Sequence, residues 1–345
     1  MSGAAGIHLA LGLLPVLCFL LALISLDSYK LVRLRTVLAL LVAGCAVAGA
    51  SLFINPWLAE ALQVGARAQT RYIAPLVEEL LKGSVVAWLI ARRRVGFLVD
   101  AAICGFAVGA GFAAAENLSY FALLENPPVA VWLVRGFGTA VLHGGATAIM
   151  AIVAVADQRG AAHPASYVYG WLLAAGIHSA FNHFFLAPDF SALLLLGTLP
   201  GLFFLLFRIS EHRTRRWLGT GFDTDAELLQ LIGSGRLSET AVGSYLTSLR
   251  AKFPPATVAD MLCLLRLRLE LSIRAKGILL LQQAGIPSEP DPEVGEKFAE
   301  LRYLERTIGK TAMATLHPIL NFSDQDLWQY HMLAQGASAS RAKPR

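Results

Sequence analysis

The chain has 345 residues, 56% of them hydrophobic and only 15% charged, with a net charge of +5. A soluble globular protein carries about 25% charged residues, so that composition, with a mean hydropathy of +0.57, excludes a wholly soluble fold. The basic excess lies beside apolar segments, which points to membrane topology rather than to nucleic acid.

In chain order, about seven membrane-spanning helices of about 20 residues each are expected, over 7–26, 36–54, 72–90, 96–118, 129–154, 167–186 and 191–209. The first lacks the basic flank of a signal peptide and is expected to be retained. Between the second and third, a loop over 55–71 carries Trp57, Leu58 and Leu62 at helical spacing, which suits a short interfacial helix. Gly105, Gly109 and Gly111 in the fourth read as a close-packing face.

Beyond residue 217 the chain is polar and helix-forming. Helices are expected over 226–232, 238–250, 256–284, 292–308 and 324–333, separated by glycines and prolines. The face carrying Arg266, Arg268 and Arg274 is assigned to helix packing rather than to a membrane surface. The resulting division is a membrane domain over 1–210, a cytoplasmic helical domain over 218–335 and a disordered tail over 336–345. Cys18, Cys45, Cys104 and Cys263 have neither zinc-knuckle nor disulfide-framework spacing.

The spans are oriented by their flanks. Lys30, Arg33, Arg35, Arg92, Arg93, Arg94, Arg159, Arg208, Arg213, Arg215 and Arg216 fall on one side of an alternating bundle, with Arg67 and Arg71 on the other. The positive-inside rule then puts the N-terminus outside and the C-terminus in the cytoplasm.

Against this apolar background, Glu78 and Glu79 stand out in the third span, with Lys82 one turn on. An ionised group at a helix centre costs roughly 2.5–3.5 kcal/mol to insert, so an intramembrane polar cluster is a functional-site hypothesis by default. The expected topology sets the pair about 9–10 Å below the outer end of its span. Glu116 and Asn117 lie near the outer end of the fourth span, His143 near the middle of the fifth, and His178, Asn182 and His183 in the sixth. Arg135 is a candidate counter-ion for one of the glutamates. Two neighbouring acids in a poorly hydrated site suit acid and base work on water. A structural ion pair is the plainer reading for Lys82 and one glutamate, but it leaves the second unexplained.

The order EExxK (Glu78, Glu79, Lys82), FxxxE (Phe112, Glu116) and HxxxN (His178, Asn182) on successive spans resembles the PrsW family of intramembrane proteases, within the wider CAAX prenyl endopeptidase and bacteriocin-processing clan. The resemblance covers roughly residues 70–210. It implies peptide-bond hydrolysis by glutamate-activated water in a bacterial cytoplasmic membrane, with a membrane-anchored substrate such as an anti-sigma factor. Glu78, Glu79, Glu116, His143 and His178 are then the candidate catalytic residues, and Lys82, Asn117, Asn182 and His183 support them.

Two mechanisms are open. HExxH, the pattern that puts two zinc-binding histidines on one helix, is not found in the sequence. One of the paired glutamates with His143 and His178 could still hold a divalent metal such as zinc. The metal-free route is preferred, with His178 and Asn182 on the oxyanion, and Glu79 is slightly favoured over Glu78 as the base. A proton-coupled transporter is the rival from another class, but no internal repeat supports it. A non-catalytic signalling adaptor with a cytoplasmic partner is the third reading.

Overall fold

The computed structural model describes residues 3–30, 32–125, 127–156, 164–286, 291, 293–320, 328–330, 332 and 333. Arg159, half of the expected helix over 324–333 and the tail over 336–345 lie outside them. Among the described residues the regular structure is helical throughout, in two compact units, Met1–Glu211 and His212–Arg345.

The elements of the first unit are α1 (Gly3–Leu26), α2 (Leu34–Ala61), α3 (Ala66–Ala68), π1 (Gln69–Ile73), α4 (Ala74–Ala91), α5 (Leu98–Leu123), α6 (Val129–Leu133), π2 (Val134–Ala140), α7 (Val141–Ala156) and α8 (Pro164–Asn182). The helix α9 (Pro188–Gly233) carries the division between the units. Among the described residues five segments are long and apolar enough to cross a membrane: Ala5–Leu26, Leu34–Ala61, Leu98–Leu123, Val129–Ala156 and Pro188–Gly233. The protein is a polytopic helical membrane protein.

The other two expected spans, α4 and α8, fall short for chemical reasons. The first carries Glu78, Glu79 and Lys82, and the second is diluted by Ser166, Tyr167, Tyr169, His178 and Asn182. Both nevertheless expose large apolar side chains, Leu80 and Trp88 on α4 and Tyr169, Leu172 and Leu173 on α8. The same is true of Leu21, Leu38, Phe53, Leu193 and Phe204 on α1, α2 and α9. Such an extensive apolar exterior suits lipid rather than water.

At the centre of the unit stands α5, buried along almost its whole length from Leu98 to Ala113. It packs most extensively on α7 and α2. Small residues permit that approach. A Cβ on Gly105 would lie 2.7 Å from the Thr147 carbonyl oxygen, and one on Gly109 would lie 2.8 Å from Gly144 Cα. On the opposite side a Cβ on Gly44 of α2 would lie 2.8 Å from the Phe112 nitrogen and closer still to the Val108 carbonyl oxygen. The backbone there cannot yield without separating two helices, so Gly44→Ala is expected to destabilise the bundle by about 1–3 kcal/mol. Thermal unfolding of the detergent-solubilised variant, followed by size exclusion, measures it; an unchanged midpoint contradicts it.

The helix boundaries correct the expectations at three places. Helix α2 runs to Ala61, so residues 55–61 continue a span instead of forming a separate interfacial helix. Helix α5 runs to Leu123, which leaves Glu116 about 10 Å inside its end. Residues 226–232 are the last turns of α9, not a helix of their own.

In the second unit, α10 (Ala241–Leu249), α11 (Pro255–Gln283) and α12 (Glu293–Leu320) enclose a core of Leu246, Leu264, Leu271, Leu304 and Leu316. Gly235 closes the turn before α10 at φ 73°, and Gly309, at φ 78°, kinks α12 where the expected helix ended. Arg268 pairs with Glu305 at 2.6 Å, Arg266 with Glu270 at 3.0 Å, and Arg274 with Asp291. Of these, Arg268 links α11 to α12, whereas the exposed Arg266 pairs within α11 itself. A buried Lys276–Asp225 pair at 2.6 Å, shared with Ser272, ties α11 to the end of α9.

Candidate active site

The buried stripe of α4 is Pro75, Glu78, Glu79, Lys82, Gly83, Val86, Leu89 and Ile90, a helical period that turns three charged side chains inward with the apolar ones. Their neighbours are residues of α2, α5, α7 and α8. Glu79 and Lys82 are both 0% exposed, Glu78 is 7% exposed, His143 1% and His178 3%.

At the buried end, Glu79 Oε1 accepts from Lys82 Nζ at 2.6 Å and from His178 Nδ1 at 2.9 Å. A carboxylate oxygen accepts here, so His178 donates from Nδ1, and in the neutral ring the lone pair is then on Nε2. Lys82 Nζ also lies 3.0 Å from His143 Nδ1 and 4.6 Å from the centre of the Phe112 ring. With Lys82 donating to Nδ1, His143 donates from Nε2 to Glu116 Oε2 at 3.3 Å. Thr147 fixes the same turn by donating to the His143 carbonyl at 2.9 Å. The two imidazoles meet edge to face, with centres 4.8 Å apart.

At the other end Glu116 is steadied by Arg135, whose NH2 donates to Oε2 at 3.1 Å. The guanidinium lies 3.5 Å over the Tyr120 ring and gives a second bond, from Nε to Asn117 Oδ1, at 2.9 Å. Asn117 in turn donates to the Gly12 carbonyl at 2.7 Å, so its role is to bind α5 to α1 and hold Arg135. Glu78 receives one hydrogen bond, 2.9 Å from Asn55 Nδ2.

These groups border a cavity of about 510 Å³, lined among others by Asn55, Glu78, Phe112, Glu116, His143 and His178. Glu79 and Lys82 lie behind its wall. Residues of both π-helical turns, Gln69 and Thr70 of π1 and Arg135 and Thr139 of π2, also line it. The structure thus gathers Glu78, Glu79, Lys82, Glu116, Asn117, His143 and His178. It does not bring in His183, which bonds to the Ser179 carbonyl and to the Tyr72 hydroxyl at 3.1 Å. Asn182 reaches the cavity rim, but its Nδ2 donates to the Thr70 carbonyl at 3.0 Å and so braces π1.

Asn55 is the residue that the sequence reading left out, having placed it in a loop. Its Oδ1 is buried without a partner, among the described residues, beside the cavity. The signal was there: an amide inside a run of Leu52, Phe53, Ile54, Trp57 and Leu58. Because Asn55 orients Glu78 from behind, Asn55→Ala is expected to lower turnover about 10–100-fold with the fold intact, as losses of such supporting bonds do. Cleavage rates compared with unfolding midpoints check it; wild-type turnover contradicts it.

The donor set fits a divalent metal. One oxygen of Glu78 and one nitrogen each of His143 and His178 lie within 4.8 Å of one another. Two imidazoles and a carboxylate are a ligand set that catalytic zinc uses. The His178 Nδ1–Glu79 bond is the outer support that metal-binding histidines ordinarily have.

A family model described as PrsW family intramembrane metalloprotease matches residues 32–209. That stretch contains every residue of the cluster, and Asn55 besides. No curated protein matches the chain, and neither does any solved structure.

Proposed function

We propose that this chain, which belongs to the PrsW family of intramembrane metalloproteases, cleaves membrane-anchored proteins near the outer leaflet by a metal-assisted attack of water. The observation that carries the proposal is the meeting of Glu78, His143 and His178 at a cavity wall with Glu116 beside them. The family and that donor set shift the preference from the metal-free route to the metal-assisted one.

Glu78, His143 and His178 would hold the ion, His143 having given up the Nε2 proton that it now donates to Glu116. Once bound, a zinc-like ion would make water more acidic and polarise the scissile carbonyl. The remaining roles fall to the chain's own groups. Glu116 faces the cavity and is the base that takes the water proton and returns it to the leaving amine. Arg135, already bonded to Glu116, holds that carboxylate in place. Glu79, behind the wall, keeps the His178 proton on Nδ1. Lys82 bonds both Glu79 and His143 and so fixes the two halves of the site to each other. Within the pair, the cavity-facing role therefore goes to Glu78 rather than to Glu79.

Seven crossings, with α4 and α8 included, and the N-terminus outside complete the reading. They rest on the flanking charges and on the apolar exteriors of those two helices. The resemblance to the family implies a bacterial cytoplasmic membrane and a single-span substrate of the anti-sigma-factor kind, and the flanking charges imply a cytoplasmic second unit. The test is metal removal. After chelation, the protein reconstituted in liposomes is expected to lose cleavage of a single-span substrate by about a hundredfold or more, and added zinc should restore it. Undiminished cleavage by protein shown to be metal-free would sink the metal-assisted route.

A further inference from the structure

A second cavity lies along the same α2–α4 seam, at the end away from the active site. It has a volume of about 560 Å³ and is lined by Arg35, Thr36, Ala39, Leu40 and Ala43 of α2, by Ser84, Val85, Trp88 and Leu89 of α4, and by Arg94 just beyond it. Arg35 stands at the start of α2 and Arg94 follows the end of α4, so the two guanidinium groups share one mouth at one membrane boundary. Neither has an acidic partner among the described residues. Arg94 lies 5.0 Å over the half-exposed Trp88 ring, the residue type that settles at headgroup level.

Below the mouth the chemistry changes. Ala39, Leu40, Ala43, Val85 and Leu89 are apolar, and Ser84 Oγ is committed to the Leu81 carbonyl at 2.7 Å. From Arg35 to Ala43 the wall descends about 12 Å along the helix axis. A ligand there needs an anionic head and a tail without hydrogen-bonding groups. A peptide would bury backbone groups without partners.

We propose that this groove binds one anionic phospholipid, its phosphate between Arg35 and Arg94 and an acyl chain along Ala39, Ala43 and Val85. Charge complementarity at the mouth and the largely apolar walls beneath it select this occupant. Basic pockets between membrane helices recognise anionic headgroups in this way. The two arginines contribute attraction, and the groove contributes selectivity over the surrounding bilayer.

The full chain in phosphatidylcholine nanodiscs, doped with phosphatidylglycerol, tests this by native mass spectrometry of retained lipid. Wild type is expected to keep phosphatidylglycerol in preference to phosphatidylcholine. In the R35Q/R94Q variant the apparent affinity should fall about thirty-fold, roughly fivefold for each arginine. Ala39→Trp, which fills the groove without changing charge, should lose the same adduct. K30Q/R33Q removes as much charge from the same boundary at residues that do not line the groove, and should keep it. An equal loss in K30Q/R33Q would reduce the effect to surface charge and overturn the proposal. Retention in either R35Q/R94Q or Ala39→Trp, or no preference in wild type, overturns it as well. None of these readings depends on proteolysis, so a failed cleavage assay leaves them intact.

Discussion

Glu78→Gln is expected to lower cleavage by about a thousandfold or more, within the range that loss of a positioned acid–base or metal-ligating group produces, while the protein folds and purifies normally. The amide is nearly isosteric, and its oxygen can still accept from Asn55 Nδ2, which now lies 2.9 Å from Glu78 Oε1. What disappears is the negative charge on the cavity wall. Bound metal, measured by elemental analysis, should fall with activity. Glu79→Gln provides the contrast. That side chain is fully buried and bonded to both Lys82 and His178, so its loss should lower the unfolding midpoint together with the rate. Glu78→Gln protein that keeps more than a tenth of wild-type cleavage removes Glu78 from the site.

Lys82→Met is the second large effect, and it falls on stability. Lys82 is fully buried; its ammonium contacts Glu79 at 2.6 Å and His143 at 3.0 Å and lies over Phe112. Removing one partner of a buried pair leaves the other charge uncompensated, at about 3–5 kcal/mol. Arg94→Met, at an exposed position, should stay within about 0.5 kcal/mol. The double variant Glu79→Gln/Lys82→Met is expected to be more stable than the sum of the two losses, because neither charge is then stranded. Additive losses in that cycle, or equal mild effects of Lys82→Met and Arg94→Met, refute the buried-partner role.

Charge in an apolar sequence is costly enough to be conspicuous, and this is why the cluster was legible. Glu78, Glu79, Lys82, Glu116, His143 and His178 each interrupt a run that would otherwise be uniformly hydrophobic. Periodicity, however, does not separate Glu78 from Glu79. Adjacent residues differ by about 100° around a helix, and the buried face of α4 is wide enough for both. Only the packing of α7 and α8 decides that one looks into the cavity and the other into the wall.

Asn55 was lost for a different reason. Pro56 follows it, and a proline ordinarily marks a boundary, yet α2 continues through it to Ala61. Asn182 came in through the HxxxN spacing that sets it on the face of His178, and His183 as its neighbour; α8 ends at Asn182, and their side chains bond to Thr70 and Tyr72 of π1. The end of α9 was cut short because apolar character stops near residue 209 while helical geometry does not.

The two π-helical turns bear on the descent of the site. A π turn is an α-helix that has accepted one extra residue without passing the resulting rotation down the helix. One of them, Gln69–Ile73, directly precedes the helix of Glu78; the other, Val134–Ala140, directly precedes that of His143. Each is therefore a place where an ancestral insertion could enlarge the cavity wall without turning the reactive side chain away from it. In an alignment of related chains these two windows are where single-residue gaps should collect. A relative that carries such a gap would keep the facing of its carboxylate or imidazole and lose only the local widening of the cavity wall.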